Sequence, residues 1–198
     1  MLKKAFLYWN TLKYLKPQQI LWRLIYKMPY KRHLSFKVPE EDIKISLPSL
    51  QHRFSTGLKT LRQTDPLTFS FLNIEHSIHQ KEDWLGASPL KLWIYNLHYH
   101  HFLLEDVPLE EKIKIIKRWI DQNPLSKNDA WEPYPLSLRL VHWVKFLIHH
   151  PQVNTQELSK SLLQQAYALF FQIEYHILGN HLFENAKALF FVGCIIEG

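Results

Sequence analysis

From residue 88 onward the apolar residues of this chain recur at helical spacing, and prolines cut the pattern into lengths of about 12–20 residues. Ser88 followed by Pro89 predicts an N-cap and first turn opening a helix over residues 90–106. A second helix is expected near Pro108. Glu110 and Glu111 lie in its first turn, where the helix dipole favours acids, and Asn123-Pro124 ends it. Its apolar set is Leu109, Ile113, Ile116 and Ile120. A third helix follows Pro135 and stops before Pro151, because the longer apolar period outweighs the brief alternation at Leu136, Leu138 and Leu140. Asn154 with Glu157 resembles a capping box that launches a fourth helix through about Leu178, with Gly179 as its left-handed C-terminal cap. A fifth begins at Asn180 or His181 and runs into Ile196. Successive helices with short connections predict antiparallel helix pairs.

Composition agrees with an all-α globule. Glycine is scarce at 5 residues, which disfavours a many-turned β protein, and 46% of the chain is hydrophobic against 21% charged. Residues 1–28 read as an amino-terminal helical segment interrupted at Lys16-Pro17. Residues 29–88 are irregular: Pro29, Pro39, Pro48 and Pro66 punctuate short apolar runs. Phe54, Leu58, Leu61, Phe69 and Phe71 keep no helical period. Short strands or turns in a connector are expected there.

The formal charge is +6, and 12 histidines add to it in mild acid. Such a balance favours an anionic partner, whether nucleic acid, anionic lipid or acidic polysaccharide. No RNP, zinc-finger or basic-zipper pattern is present, so nucleic acid is set aside. Cys194, the single cysteine, excludes an internal disulfide and sits in an apolar run that predicts a buried thiol. No stretch is long and apolar enough for a membrane span, and the amino terminus lacks an uninterrupted apolar core and a small-residue cleavage site. Leu2, Phe6, Trp9 and Leu12 fall on one helical stripe with Lys3, Lys4 and Lys13 elsewhere. Packing on the domain is the favoured reading of that stripe, and an interfacial membrane helix is the alternative.

The residues able to carry chemistry form three groups. In Gly179-Asn180-His181-x-x-Glu184, Asn180 can cap a helix or turn its amide to a ligand. His181 and Glu184 share a face, so Glu184 can fix the imidazole tautomer. A helix cap and a carboxylate-binding site both fit these residues. Trp93, Tyr95, Asn96 and His98, then Trp131 and Tyr134, offer aromatic faces and polar edges to sugars; core packing is the competing role. Arg139 can hold a carboxylate bidentately or pair internally with Glu132 or Glu174. His98 and His101 share a face, but no third ligand has recognisable spacing, so no metal is expected. Phosphate loops, dinucleotide fingerprints and nucleophile elbows are also lacking, and no cofactor is expected.

Taken together, Trp93-x-Tyr95-Asn96-Leu97-His98-Tyr99, Trp119-Ile120 with Asn123-Pro124, Trp131-Glu132-Pro133-Tyr134-Pro135-x-Ser137-x-Arg139 and Glu174-Tyr175-His176-x-Leu178-Gly179-Asn180-His181-Leu182-x-Glu184-Asn185 resemble the heparinase II/III family of polysaccharide lyases. The resemblance implies that residues 89–198 form part of an incomplete (α/α) toroid that a β-sandwich would follow. It implies β-elimination on uronic-acid polysaccharides such as heparan sulfate or alginate, met in the periplasm; the missing export signal leaves the cytoplasm as the alternative. Asn180 and His181 would serve the substrate carboxylate, with Glu184 as orienter. The family's proton-donating tyrosine and a further histidine lie beyond this chain. The expectation is therefore a protein incomplete alone, with a downstream polypeptide supplying the rest of the toroid. A non-catalytic anionic-glycan module and a membrane-surface helical protein are the competing expectations.

Overall fold

The computed structural model describes Phe6, Trp9, Asn10 and residues 13–27, 41–49 and 54–197. Leu2, Lys3, Lys4, Leu12, Pro29 and Pro39, with most of the expected first helix turns, lie outside the described residues. The structure is mostly helical with one small three-stranded sheet. Helix α1 covers Pro17–Lys27, followed by strands β1 (Leu61–Thr64), β2 (Leu67–Phe71) and β3 (Ile74–Ile78). Then come α2 (Asp83–Gly86), α3 (Lys91–Leu97), α4 (Leu109–Gln122), α5 (Pro133–His149), α6 (Gln156–Phe170) and α7 (Gly179–Gly193). Among the described residues, none of these helices is long and apolar enough to cross a membrane.

The all-helical expectation holds from residue 83 onward and yields to an antiparallel meander over 61–78. Leu67, Phe69 and Phe71 alternate inward along β2, the period of two that a half-buried strand requires. Leu72 and Asn73 turn the chain into β3 with φ of 55° and 61°, the primed geometry that suits strand twist. The sheet is part of the core. Phe71 meets Trp93 edge-on at 5.1 Å, Phe69 packs near Phe102, and the Trp93 indole donates to the Ile74 carbonyl at 3.0 Å.

Helix α5 is the central element, with both faces buried. Pro133 and Pro135 sit in its first turn, where their missing N–H groups would have had no partner in the helix. Tyr134 meets His181 and Ser137 meets Asn185, so α5 and α7 run side by side in the same direction. Helix α6 lies between them in sequence, returns after a short loop and packs against both. Helix α4 has the expected ends: Pro108 precedes it, Glu110 and Glu111 lie in its first turn, and Asn123 closes it through Trp119. Its fully buried stripe is Lys112, Ile115, Ile116 and Trp119, so Leu109, Ile113 and Ile120 pack at the margin.

Several boundaries differ from the sequence expectations: α5 begins at Pro133 instead of after Pro135, and α7 ends at Gly193 instead of Ile196. The helix expected over 90–106 ends at Leu97, and His100, with φ 58°, reverses the chain into a 3-10 turn over His101–Leu104. Helix α6 is capped by Thr155, whose hydroxyl accepts from Leu158 N at 3.3 Å; Asn154 bonds Ser159 instead. The same helix stops at Phe170 rather than Leu178, because the Gln172 amide takes the Ala168 carbonyl at 3.0 Å and ties it to the Trp131 carbonyl at 3.2 Å. Gly179, with φ 58°, therefore opens α7 instead of closing α6. Cys194 is exposed, not buried, because it follows Phe190 on the outward face of α7.

Burial also decides the protonation of the histidines. Trp119 donates its indole N–H to His98 Nδ1 at 3.1 Å, so Nε2 carries the proton and donates to the Trp84 carbonyl at 2.9 Å. Trp143 donates likewise to His100 Nδ1 at 2.9 Å. Burial, then the charge of Arg139, depresses His98 to about 3, and burial followed by His101 depresses His142 to about 3. The unfolded chain protonates these rings below their ordinary value of 6.5, whereas the folded chain resists to about 3. Stability accordingly falls as pH drops through that window, by about 1.4 kcal/mol per pH unit per histidine. Urea unfolding at pH 7, 6, 5 and 4 is expected to show a steadily falling midpoint, and a flat profile would contradict neutral buried imidazoles.

Candidate functional site

A cleft of about 550 Å³ opens between Tyr26 of α1, the segment 126–133 and the segment 171–181. Tyr95, Trp131, Phe171, Glu174 and His181 line it. Three carboxylates line this space, Asp129, Glu132 and Glu174, and each has a partner. Glu132 accepts from Lys91 Nζ at 2.7 Å and from the Tyr95 hydroxyl. Lys91 also lies 3.2 Å from Asp129. The bond to Glu132 raises Lys91, and burial followed by Glu132 raises Tyr95, so the lysine stays charged and the phenol neutral.

Glu174 is built into a deeper arrangement. Its buried carboxylate accepts from His181 Nδ1 at 3.1 Å and from Asn185 Nδ2 at 3.3 Å, while its backbone N–H donates to Asn185 Oδ1 at 2.8 Å. Asn185 Nδ2 also donates to Ser137 Oγ at 2.9 Å, and Ser137 donates to the Pro133 carbonyl at 2.8 Å. The network therefore runs from α5 through α7 to the 171–178 segment and ends on the imidazole. A carboxylate only accepts, so His181 Nδ1 must donate, which leaves Nε2 as the nitrogen available to a ligand. The Tyr134 ring lies 4.4 Å from the His181 ring. Burial, then Glu184 and Glu174, raises Tyr134, and its phenol keeps its proton at neutral pH.

The sequence-derived residues separate into two sets. Tyr95, Trp131 and His181 line the cleft, and Tyr134 stacks beside His181. Trp93, His98 and Arg139 are fully buried and present no surface to a ligand here. Arg139 pairs with neither Glu132 nor Glu174. It donates to Gln165 Oε1 at 2.7 Å and to the His98 and Ala130 carbonyls, and it lies 4.1 Å from the Trp119 ring centre. Asn96 turns back to the Leu92 carbonyl of its own helix at 2.7 Å. Asn180 is exposed and caps nothing; α7 starts after Leu178 without a side-chain cap. Glu184 does not orient His181, because Lys187 holds it at 2.6 Å. Glu174 takes that role from the preceding loop.

Sequence reasoning missed Glu174, Asn185 and Ser137 as parts of the site. Asn185 was within reach, since it lies one helical turn beyond His181 on the same face. Glu174 carried no such signal, because a loop has no periodic position. Among the described residues, no group of three His, Cys, Asp or Glu is arranged to hold a metal ion. No family model, no curated protein and no solved structure matches this chain. The fold and the site thus define a mostly helical protein whose open cleft presents a carboxylate-held imidazole.

Asn185→Ala would leave the Glu174 backbone N–H and one carboxylate bond unmet at a fully buried position. A loss of about 2–3 kcal/mol is expected in urea unfolding. A change under about 0.5 kcal/mol would show that the network does not hold the site.

Proposed function

We propose that this chain is the amino-terminal part of a polysaccharide lyase of the heparinase II/III type, and that its cleft receives uronic-acid polymer. The observation that carries the reading is His181, which lines the cleft and is fixed by buried Glu174 through Nδ1. Lyase chemistry needs this kind of group. The C5 proton of a uronate is weakly acidic, so its carboxylate must be neutralised as the proton leaves, and donors fixed beforehand do so without reorganising. Exposed Asn180 adjoins His181 on the first turn of α7 and can add an amide donor to the same carboxylate. Tyr134, neutral and with its ring 4.4 Å from the imidazole, places a phenol beside the same group.

The helix arrangement supports a toroid segment. In such a ring, alternate helices run parallel and the intervening ones return, as α5, α7 and α6 do. Phe183 and Phe190, 65% and 69% exposed and two turns apart on α7, offer an apolar face on which a further helix pair would stack. On this reading the chain binds uronate but needs a further polypeptide for turnover, and it works in the periplasm, with the cytoplasm as the alternative. A glycan-binding module without catalysis is the second reading, favoured by the aromatic lining of Tyr26, Tyr95, Trp131 and Phe171.

Calorimetric titration with alginate and heparin oligosaccharides is the direct test. His181→Ala and Glu174→Gln are each expected to weaken binding about tenfold. Neutral oligosaccharides should bind more weakly than either acidic one. Binding that ignores both substitutions would favour the module, since stacking alone would then hold the sugar. The ultraviolet absorbance of unsaturated uronate should stay flat with the chain alone; sustained turnover would overturn the need for a further polypeptide.

A further inference from the structure

Helix α1 has two unlike faces. Gln19, Trp22 and Tyr26 point to the protein: Gln19 donates to the Ile177 carbonyl at 3.1 Å, Trp22 stacks on Tyr175 at 4.5 Å, and the Tyr26 hydroxyl donates to the Ile173 carbonyl. Ile20, Leu21 and Leu24 fall on the opposite side at the i, i+1, i+4 spacing of one helical stripe. They are exposed, Leu21 at 56% and Leu24 at 58%, and α1 buries no residue fully. Lys16, Arg23 and Lys27, spaced i, i+7, i+11, form a single exposed row beside that stripe. Trp9 and Tyr14, 66% and 79% exposed, precede it.

We infer that the outward face of α1, edged by Lys16, Arg23 and Lys27, seats the protein on anionic lipid bilayers. This inference is independent of the lyase reading. The charge pattern selects the partner. Before Glu40 the sequence has no Asp or Glu, while Lys3, Lys4, Lys13, Lys16, Arg23 and Lys27 supply a uniform positive sign. A uniform row fits a uniformly anionic surface, whereas a folded protein partner presents mixed charge. The stems of Lys and Arg lie along apolar surface while their heads reach the headgroups, so a leucine stripe edged by cations matches the interface between acyl chains and phosphates. Trp and Tyr beside it are the side chains that settle at that depth. A polyanion in solution would engage the cations and leave Leu21 and Leu24 in water.

Co-sedimentation of the full chain with vesicles tests this. Binding is expected to phosphatidylcholine vesicles containing phosphatidylglycerol, weakened by salt, and only marginally to phosphatidylcholine alone. Leu21→Ser with Leu24→Ser, and separately Arg23→Glu with Lys27→Glu, should each reduce partitioning about tenfold. Circular-dichroism melting should not change, because these side chains face away from the core. Phe183→Ser with Phe190→Ser, equally exposed on α7, should leave partitioning unchanged. The inference is overturned by an absence of binding to anionic vesicles, or by equal loss in the α7 pair. It is also overturned if the leucine pair binds undiminished, or if that pair dissolves a dimer seen without lipid.

Discussion

A buried guanidinium organises this molecule. Arg139 is fully buried at the middle of α5 and bonds neutral groups: the side-chain amide of Gln165 on α6, the carbonyl of His98 at the end of α3, and that of Ala130 just before the cleft. The faces of Trp119 and Trp131 complete its surroundings at 4.1 and 5.7 Å. Burying such a charge is costly. Here Nε and Nη1 are directed at acceptors held by the rest of the fold, while Nη2 has no hydrogen-bond partner. The pairing works in both directions. The acceptors keep the charge soluble in the core, and the charge fixes how α3, α6 and the 129–131 turn meet α5. Trp131 and Glu132, next to Ala130, reach the cleft in the position Arg139 gives them.

The buried aromatic layer follows from the same constraint. Trp119 lies against the guanidinium and donates to His98, while Trp143 donates to His100. Both imidazoles must then accept through Nδ1, so both must be neutral, and the nearby positive charge reinforces that state. A stretch of histidines that resembles a metal or substrate motif thereby becomes part of the hydrogen-bonded framework. His181, by contrast, has an acid as its hydrogen-bond partner, Glu174.

The cleft joins elements far apart in sequence, which explains its mixed character. Helix α1 adds Tyr26 by lying on the 173–177 segment, the same segment that holds Glu174 against Asn185. A surface-seeking helix and the imidazole site therefore share one stretch of backbone. The outward faces of α1 and α7 differ in chemistry: leucines edged by cations on one, phenylalanines on the other.

Local rules wrote much of this into the sequence. The ends of α4, the stop of α5 before Pro151, and a helix carrying His181 were legible because periodicity and capping act over a few residues. Proline spacing and the lost helical period pointed to short strands or turns before residue 88, although their burial in the main core was not visible. What the sequence could not decide was which polar group pairs with which. Glu184 is nearer to His181 along the helix, yet Lys187 holds it, and Glu174 arrives from a loop with no period of its own. Arg139 carried the same charge in either reading, but only the packed acceptors around it made it a core residue instead of a ligand for carboxylate. Short-range backbone preferences fix elements; the choice of partner for a buried polar group depends on long-range packing, because only packing removes the water that would otherwise satisfy it.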